Sequence, residues 1–460
     1  MNSTQSPQSS KYPKPHTRGI TLFRDGHIMS SERSRLRSEG GVPSTSAHGS
    51  VDLRNIRAPN GDGRSQGFLS KVLNPKASHR TKKYARQELA KETLKGRGAF
   101  KRFQKCCHCG ECAGVTVVHD AASGKNAVKG IIVCGSVWLC AVCCTKIALQ
   151  RAAAVVAAVK EIRAQGGDVL FWTVTTRSHR GQRLKEFFKQ FKELLSNALG
   201  VRASLKLLDD LDYLGDIKGF EMPVSFVNGF HVHAHILLAF GRKVTEDERQ
   251  ALDAVLSAEW CKQWMKRGLP APSKEHGSDL RRVKDDEAGA YVVKGNAVGI
   301  GYEIASGSVT KESSGIPPLD LPVIAADERY SDEIRKRARA LFVEYAYATK
   351  RKHQIELSKR LAKFLSAEVV QKFRKKDEQV AAEETEEPKQ IIAGIEKPVY
   401  RALTWSTLIS ELLDASEKSG SDGIAQLLKR LGIPFTVRSN GRFPIFAAVT
   451  VTKPSPKPKT

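Results

Sequence analysis

Residues Gly229–Phe240 form the stretch GFHVHAHILLAF, in which three histidines occupy every second position of an otherwise apolar run. An apolar run of this kind predicts a buried strand. Side chains alternate between the two faces of a strand, so His231, His233 and His235 are predicted to share one face. Neutral imidazole is a common nitrogen ligand for divalent transition metals. The stretch therefore predicts a metal-binding strand, and the alternative is the polar face of an exposed strand.

A second motif, EAGAYVVKG, occupies Glu287–Gly295. On a helix, Glu287, Tyr291 and Lys294 would share one face because they stand at positions i, i+4 and i+7. A tyrosine can act as a covalent nucleophile when a cation or a metal stabilises its phenolate. An isolated Tyr-x-x-Lys motif is more typical of a helix surface, so its significance depends on the histidine strand that precedes it.

Composition indicates the class of partner and the cellular compartment. The chain has 460 residues and a formal net charge of +26, which predicts two or three domains and a polyanionic partner, with nucleic acid as the first choice. The N-terminus lacks a signal-peptide core, and no membrane span is expected, so we expect a cytoplasmic bacterial protein. Eight of the nine cysteines lie between Cys106 and Cys144, which favours metal ligands over disulfides in a reducing compartment.

The cysteines form two groups, CCHCGEC at Cys106–Cys112 and CGSVWLCAVCC at Cys134–Cys144. A Cys-x-x-Cys unit lets two thiolates reach one ion, so two such units predict a structural zinc site. We predict Cys109, Cys112, Cys140 and Cys143 as ligands. Cys106 and Cys134 are the substitutes, because several thiols crowd beside any chosen pair.

The rest of the chain is divided by composition. Residues 1–95 are rich in Ser, Gly, Pro and basic residues and are expected to be a disordered basic tail. The remaining expected segments are a Cys-rich zinc-binding segment at 96–150, a catalytic domain at 151–300, a linker at 301–330, a basic helical region at 331–380, an acidic hinge at 381–400, a small C-terminal unit at 401–450 and a basic tail at 451–460.

The histidine strand followed by Tyr291-x-x-Lys294 resembles the HUH endonucleases, and the order of motifs is similar to that of the rolling-circle plasmid replication initiators of this superfamily. The cysteine string before an Ala-rich helix also resembles those initiators. The resemblance implies an α+β fold, in which helices flank a central antiparallel sheet. It also implies catalysis with Mn²⁺ or Mg²⁺, besides the structural Zn²⁺.

The resemblance also implies roles for individual residues. His233 and His235 match the metal-binding pair, and His231 matches a histidine that precedes it. Tyr291 matches the nucleophile, Lys294 its partner, and Glu287 a carboxylate that activates water in the closing step. Glu221 matches an acidic residue that could complete the metal shell. The chain departs from the family at Val232, where proline is frequent.

The implied function is nicking and rejoining of single-stranded plasmid origin DNA through a 5′-phosphotyrosine intermediate. Host helicase and polymerase are expected partners, with a homodimer as a further possibility and no membrane partner. The alternatives are a single-Tyr transposase or relaxase, and a non-catalytic zinc-containing DNA-binding regulator.

Hairpin register decides whether Glu221 can be a metal ligand. A three-residue loop, Val227–Gly229, with Gly229 in the left-handed conformation would place Glu221 opposite His235 on the histidine face. A bulge at Pro223, which cannot donate a hydrogen bond to the neighbouring strand, is the alternative way to bring Glu221 to that face. A regular two-residue turn would point Glu221 away from the histidines.

Overall fold

The computed structural model of this chain describes residues 61–110, 114–121, 124–273, 275–283, 315–382, 390–403 and 406–449. The proposed nucleophile motif, with Glu287, Tyr291 and Lys294, lies outside these residues, and so does Cys112.

The N-terminal part of the described chain is mainly helical, with one hairpin before a long helix. Its elements are helices α1 (Gly61–Leu73) and α2 (His79–Thr93), a 3-10 turn (Gly98–Phe100), helix α3 (Lys101–Gln104), strands β1 (Gly114–Asp120) and β2 (Lys125–Lys129), and helix α4 (Ala141–Ala164).

The expectation of a disordered tail through residue 95 is wrong for α1 and α2. The side chain of Ser78 caps α2 by accepting a hydrogen bond from the backbone N–H of Thr81. Apolar residues in this region are few, but they gather on helix faces. Phe68, Leu69 and Leu89 are buried together in one cluster, so these helices bury enough surface to order the chain.

The middle of the chain alternates strands and helices. It comprises β3 (Asp168–Thr175), α5 (Leu184–Gly200), α6 (Arg202–Asp210), β4 (Tyr213–Glu221), β5 (Val224–Ser225), β6 (Gly229–Phe230), β7 (His233–Phe240), α7 (Glu246–Lys266) and β8 (Ser278–Arg282).

After the undescribed segment the chain continues with a 3-10 turn (Pro318–Asp320), α8 (Leu321–Ala326), α9 (Asp332–Thr349), β9 (Ile355–Leu357), α10 (Lys359–Phe364), α11 (Ala367–Arg374) and α12 (Asp377–Ala382). Its last elements are β10 (Gln390–Glu396), α13 (Lys397–Ala402), α14 (Ser406–Arg430), β11 (Thr436–Ser439) and β12 (Pro444–Ala447).

A five-stranded antiparallel sheet in the order β8-β3-β7-β4-β9 carries the histidine strand at its centre. One face, with Trp172 and Ile236, belongs to the same core cluster as residues of α5 and α7. The other face, with Phe171 and Leu237, packs with residues of α4, α10 and α11. Because both faces are covered, the strands are nearly continuous apolar runs.

The Cys-rich segment and the C-terminal unit belong to one second sheet, in the order β11-β12-β10-β1-β2. Strand β10 pairs antiparallel with β1 and parallel with β12. The hydroxyl of Tyr400 in α13 donates a hydrogen bond to the backbone oxygen of Cys107, at 3.0 Å. The division into a hinge at 381–400 and a separate unit at 401–450 is therefore wrong for residues 390–403 and 406–449, which complete the fold of the Cys-rich segment.

Two further boundaries also differ from expectation. Residues 318–326, expected in a linker, form helical turns with Leu321 buried. The basic helical region also contributes β9 to the central sheet by pairing with β4. Sequence periodicity could not show this, because the strand is short and its partner is distant in the chain.

Among the described helices, α4 alone has the length and hydropathy needed to cross a membrane. Its most apolar window is 56% buried inside the protein. Such burial is typical of a helix at the centre of a folded domain, so the hydropathy of α4 is weak support for a membrane span.

Candidate metal centres

The first candidate centre lies at the hairpin that joins β4 to β7. Glu221 pairs with His233, Val224 with Phe230 and Ser225 with Gly229, so residues 226–228 form the turn. The hydroxyl of Ser225 accepts hydrogen bonds from the backbone N–H groups of residues 227 and 228, at 3.2 and 3.4 Å. Gly229 follows with a φ of 81°, a conformation that favours glycine.

The three-residue turn begins one residue earlier than predicted, because Ser225 rather than Phe226 closes it. The pairing partner predicted for Glu221, His235, is therefore wrong, since Glu221 pairs with His233. This changes the register by two residues. Because strand faces alternate with a period of two, Glu221 still lies on the histidine face.

Glu221, His233 and His235 bring one carboxylate and two imidazoles together, with possible ligand atoms all within 4.8 Å of one another. The Oε2 atom of Glu221 lies 2.8 Å from Nε2 of His233, and its Oε1 atom lies 3.9 Å from Nε2 of His235. Each carboxylate oxygen thus faces one imidazole. A carboxylate with two imidazole nitrogens is a donor set that suits divalent cations, so this group could hold one.

The charge state of the group also suits a cation. Burial raises the pKa of Glu221, but interactions with His233 and His235 outweigh burial and hold its pKa at about 2. Glu221 is therefore ionised at neutral pH. Burial, together with the charge of His233, lowers the pKa of His231 to about 4. His231 is neutral at the same pH, and its ring centroid is 5.6 Å from that of His233. His231 does not belong to the three-residue group formed by the described residues.

Hydrogen bonds at the opposite ring nitrogens orient both imidazoles. Thr173, directly across from His235 in β3, has its Oγ1 atom 3.3 Å from Nδ1 of His235. The Nδ1 atom of His233 lies 3.4 Å from the backbone oxygen of His231. With Nδ1 engaged in each ring, Nε2 is the nitrogen that faces Glu221. The ring of Phe171 also stacks on His235, with centroids 5.3 Å apart.

Sequence reasoning did not single out Thr173 or Tyr345 for this site. Tyr345 is fully buried, and its hydroxyl has no hydrogen-bond partner among the described residues. Burial, with smaller effects of the charges at Cys144 and Glu221, raises its pKa well above the usual value. Tyr345 therefore stays protonated at neutral pH. The register of β3 against β7 would have identified Thr173, whereas no local pattern marks Tyr345.

The second candidate centre is a buried group of four thiols, Cys106, Cys134, Cys140 and Cys143, whose sulfur atoms all lie within 4.8 Å of one another. Cys106 is 3.8 Å from Cys140 and 3.7 Å from Cys143 between sulfurs. Tetrahedral zinc with Zn–S bonds of about 2.3 Å requires S···S separations of roughly 3.8 Å. The spacing of the thiols fits a closed tetrahedral site.

This group corrects the predicted ligand set. Cys106 and Cys134, named as substitutes, join Cys140 and Cys143, whereas Cys109 is only partly buried and forms a β-bridge with Ile131. The reason is the fold of the first cysteine motif. Cys107 adopts a φ of 70°, so the chain turns directly after Cys106. Cys106 therefore joins the four-thiol group, and Cys109 does not.

The four thiols shift one another's pKa in opposite directions: hydrogen bonding to Cys106 raises the pKa of Cys134 and Cys143, whereas that of Cys106 itself is lowered. The side-chain amide of Gln87 donates to the sulfur of Cys140 at 3.0 Å, and the backbone N–H of Ser136 donates to that of Cys134 at 3.4 Å. Hydrogen bonding from Cys107, then from the other three thiols, lowers the pKa of Cys106 against the opposing effect of burial. Thiolates are the form that binds metal, so the group could hold an ion.

The chain is similar to two curated proteins over part of its length. It is 27% identical to "Protein rep" of Streptomyces lividans, in an alignment that covers 38% of this chain and 47% of that relative. It is 24% identical to "Neomycin resistance protein" of Streptomyces cyanogenus, covering 34% of this chain and 43% of that relative. The chain thus spans less than half the length of these relatives. No family model matches the sequence, and no solved structure matches it.

Proposed function

We propose that this protein is a plasmid replication initiator that nicks and rejoins one DNA strand at an origin with the help of a divalent ion. The observation that carries the proposal is the Glu221, His233 and His235 group on the two central strands of an antiparallel sheet. The similarity to a protein named "Protein rep" supports the replication role, and the net charge of +26 suits a DNA substrate.

In this proposal Glu221 and the Nε2 atoms of His233 and His235 would hold Mn²⁺ or Mg²⁺. When bound, the ion supplies positive charge that stabilises the transition state at the scissile phosphate. The protein keeps Glu221 ionised through its two histidine neighbours. Thr173 and the backbone oxygen of His231 hold the imidazoles with Nε2 toward Glu221. The four thiols would hold a structural Zn²⁺ that is separate from the chemistry.

The proposed nucleophile is Tyr291, which the resemblance to HUH endonucleases assigns. Its Oη atom forms a bond to phosphorus while the bond from phosphorus to the 3′ oxygen breaks. The phenolic proton passes to solvent, and the departing 3′ oxygen takes a proton from solvent to become a hydroxyl. Lys294 assists the phenolate, and Glu287 activates water for the closing step. The phosphotyrosine ester conserves the energy needed for rejoining, and the free 3′-OH can prime a polymerase.

Covalent capture tests this function with a substrate pool in place of a defined origin sequence. The protein is incubated with Mn²⁺ and a 3′-labelled single-stranded oligonucleotide pool that has a randomised centre. We expect adducts that survive denaturation, disappear on protease treatment and share a sequence after amplification. Tyr291→Phe and His233→Ala should each abolish the adduct. Tyr330→Phe, which changes an exposed tyrosine of the described chain, should leave it intact.

Two outcomes would contradict the proposal. An adduct that persists in Tyr291→Phe would assign the nucleophile to another residue. Tight DNA binding by the unmodified chain without any adduct in Mn²⁺ or Mg²⁺ would instead indicate the non-catalytic DNA-binding regulator.

A further inference from the structure

A pocket of about 800 Å³ lies between α2, β2 and the start of α4. Its lining includes Cys143 of the thiol group but none of Glu221, His233 and His235. The pocket is therefore a feature of the sheet that contains the Cys-rich segment, and it is distinct from the candidate catalytic group.

The lining of this pocket is strongly basic. Its basic side chains are His79, Arg80, Lys83, Lys125, Lys129 and Lys146. The only acidic side chain among the described lining residues is Asp120. An excess of cations of this kind around one concave surface favours an anionic ligand.

Some of these cations have structural roles. Arg80 forms ion pairs with Asp414 at 2.7 Å and with Glu417 at 2.5 Å, both on α14. Lys146 donates to the backbone oxygen of Ala381 at 2.9 Å. Burial, followed by the charges of neighbouring cations, lowers the pKa of His79, so His79 adds little charge at neutral pH. The remaining positive charge comes chiefly from lysines.

Lys83 differs from these residues. It is half-buried beside the thiol group, and no carboxylate or carbonyl oxygen of the described chain pairs with its ammonium group. Burial is the main cause that lowers the pKa of Lys83, with Arg80 and Lys125 contributing in the same direction and the charges at Cys140 and Cys107 opposing them. A half-buried ammonium group in the wall of a basic pocket, with no carboxylate partner in the described chain, is a candidate for binding an external anion.

We propose that this pocket binds phosphate groups of a nucleic-acid backbone, with Lys83 at its wall and Lys125 at its rim. The identity of the ligand as DNA rests on the proposed function. The consequence is that the Cys-rich sheet is a docking site for the DNA backbone, separate from the group that would act on the scissile phosphate.

The arrangement of the lysines favours a backbone over a single small anion. Lys125 and Lys129 stand at the two ends of β2 and on the same strand face. At about 3.3 Å per residue they are roughly 13 Å apart along the strand. Cations spaced along a strand in this way match the repeated phosphates of a polynucleotide better than a single small anion.

The lining also predicts contact without base recognition. Tyr84 is the only Phe, Tyr or Trp among the described residues that line the pocket, and it is 7% exposed. Apart from the imidazole of His79, the described lining therefore presents no ring for base stacking, which sequence-tolerant single-strand sites normally use. Lysine contacts to phosphate contribute affinity and position but carry no sequence information.

The test compares Lys83→Met with Lys266→Met, a matched change at an exposed lysine of α7. Affinity is measured by fluorescence anisotropy with labelled single-stranded and duplex oligonucleotides of one arbitrary sequence, over a series of salt concentrations. We expect Lys83→Met to bind roughly 3- to 10-fold more weakly and to reduce the salt slope by about one. Lys266→Met should match the unmodified protein. The DNA form, single-stranded or duplex, whose affinity falls more in Lys83→Met is the form that binds in the pocket.

Three controls keep the result interpretable. The melting temperature and zinc content of Lys83→Met should equal those of the unmodified protein, and Lys83→Arg should restore the affinity. The covalent adduct formed by Lys83→Met at saturating DNA should be normal, because Lys83 does not belong to the nicking group. Absence of an adduct in every protein would refute the nicking function and leave the docking measurement valid.

Equal affinity and equal salt slope in Lys83→Met and the unmodified protein, with both DNA forms, would overturn the proposal. Binding of ATP that is lost in Lys83→Met, with DNA binding unchanged, would also overturn it and identify a nucleotide pocket.

Discussion

Glu221 and His233 face each other across β4 and β7, and the Oε2 atom of Glu221 lies 2.8 Å from Nε2 of His233. The pair forms because the β4–β7 hairpin turns at residues 226–228, which places both side chains on one face. Its other carboxylate oxygen is directed toward His235. Glu221 is therefore positioned to bridge both imidazoles in the absence of an ion and to join them as a ligand in its presence.

Replacing Glu221 with Gln should weaken divalent-ion binding without unfolding the protein. Glutamine keeps the shape and can accept the hydrogen bond of His233, but it removes the negative charge. Loss of a residue that only hydrogen-bonds to a metal ligand typically lowers metal affinity by about 10- to 100-fold. Glu221 is itself a proposed ligand, so we expect its replacement to lower Mn²⁺ affinity by at least about 100-fold. Calorimetric titration with Mn²⁺ measures it. Glu186→Gln, at an exposed position of α5, is the control, and an unchanged Mn²⁺ affinity in Glu221→Gln would exclude Glu221 as a ligand.

Replacing Thr173 with Val tests whether Thr173 positions His235. Valine preserves the β-branched shape suited to a strand and removes only the hydroxyl beside Nδ1 of His235. We expect Mn²⁺ affinity to fall by about 10- to 100-fold. Thr175→Val is a matched change on the same strand, because Thr175 donates instead to the backbone oxygen of His276. Equal affinities of the two variants would show that the Thr173 contact is merely structural.

The revised thiol set predicts opposite results for two cysteines of the same segment. We expect about one zinc per chain in the unmodified protein. Cys134→Ser should lose most of this zinc and melt at a lower temperature, because metal binding contributes folding free energy. Cys109→Ser should retain zinc, since Cys109 lies outside the four-thiol group. Zinc content after dialysis, measured by atomic emission, distinguishes them. Retention in Cys134→Ser together with loss in Cys109→Ser would restore the ligand set predicted from sequence.

His231 should make the metal-free protein less stable in acid. Its pKa is about 4 in the folded protein, against an ordinary value of 6.5. Between these values the unfolded chain binds a proton that the folded protein does not, so the free energy of unfolding falls as pH decreases. We expect a loss of about 2 kcal/mol from pH 7 to 4.5. Urea unfolding in EDTA should show a shallower decrease for His231→Gln. Parallel curves for both proteins would contradict this.

The sequence by itself determined the elements whose signal is local. Alternation of histidine and apolar residues in GFHVHAHILLAF predicts a strand with a polar face, and the structure contains β7 with His233 and His235 on one face. The Ala-rich helix that follows the cysteine string is also present, as α4. These predictions succeed because side-chain direction follows the helix or strand period along a short stretch.

Tertiary structure decided the relations between distant segments. The Ser225 turn selected His233 as the partner of Glu221, and pairing of β3 with β7 brought Thr173 to His235. Folding of the first cysteine motif selected Cys106 over Cys109, and β10 joined the C-terminal residues to the Cys-rich segment. Each outcome depends on register or on packing between segments far apart in the chain. The physical reason is that a side chain's neighbours across a sheet are set by the turn and by the buried contacts of the whole domain, which no local pattern encodes.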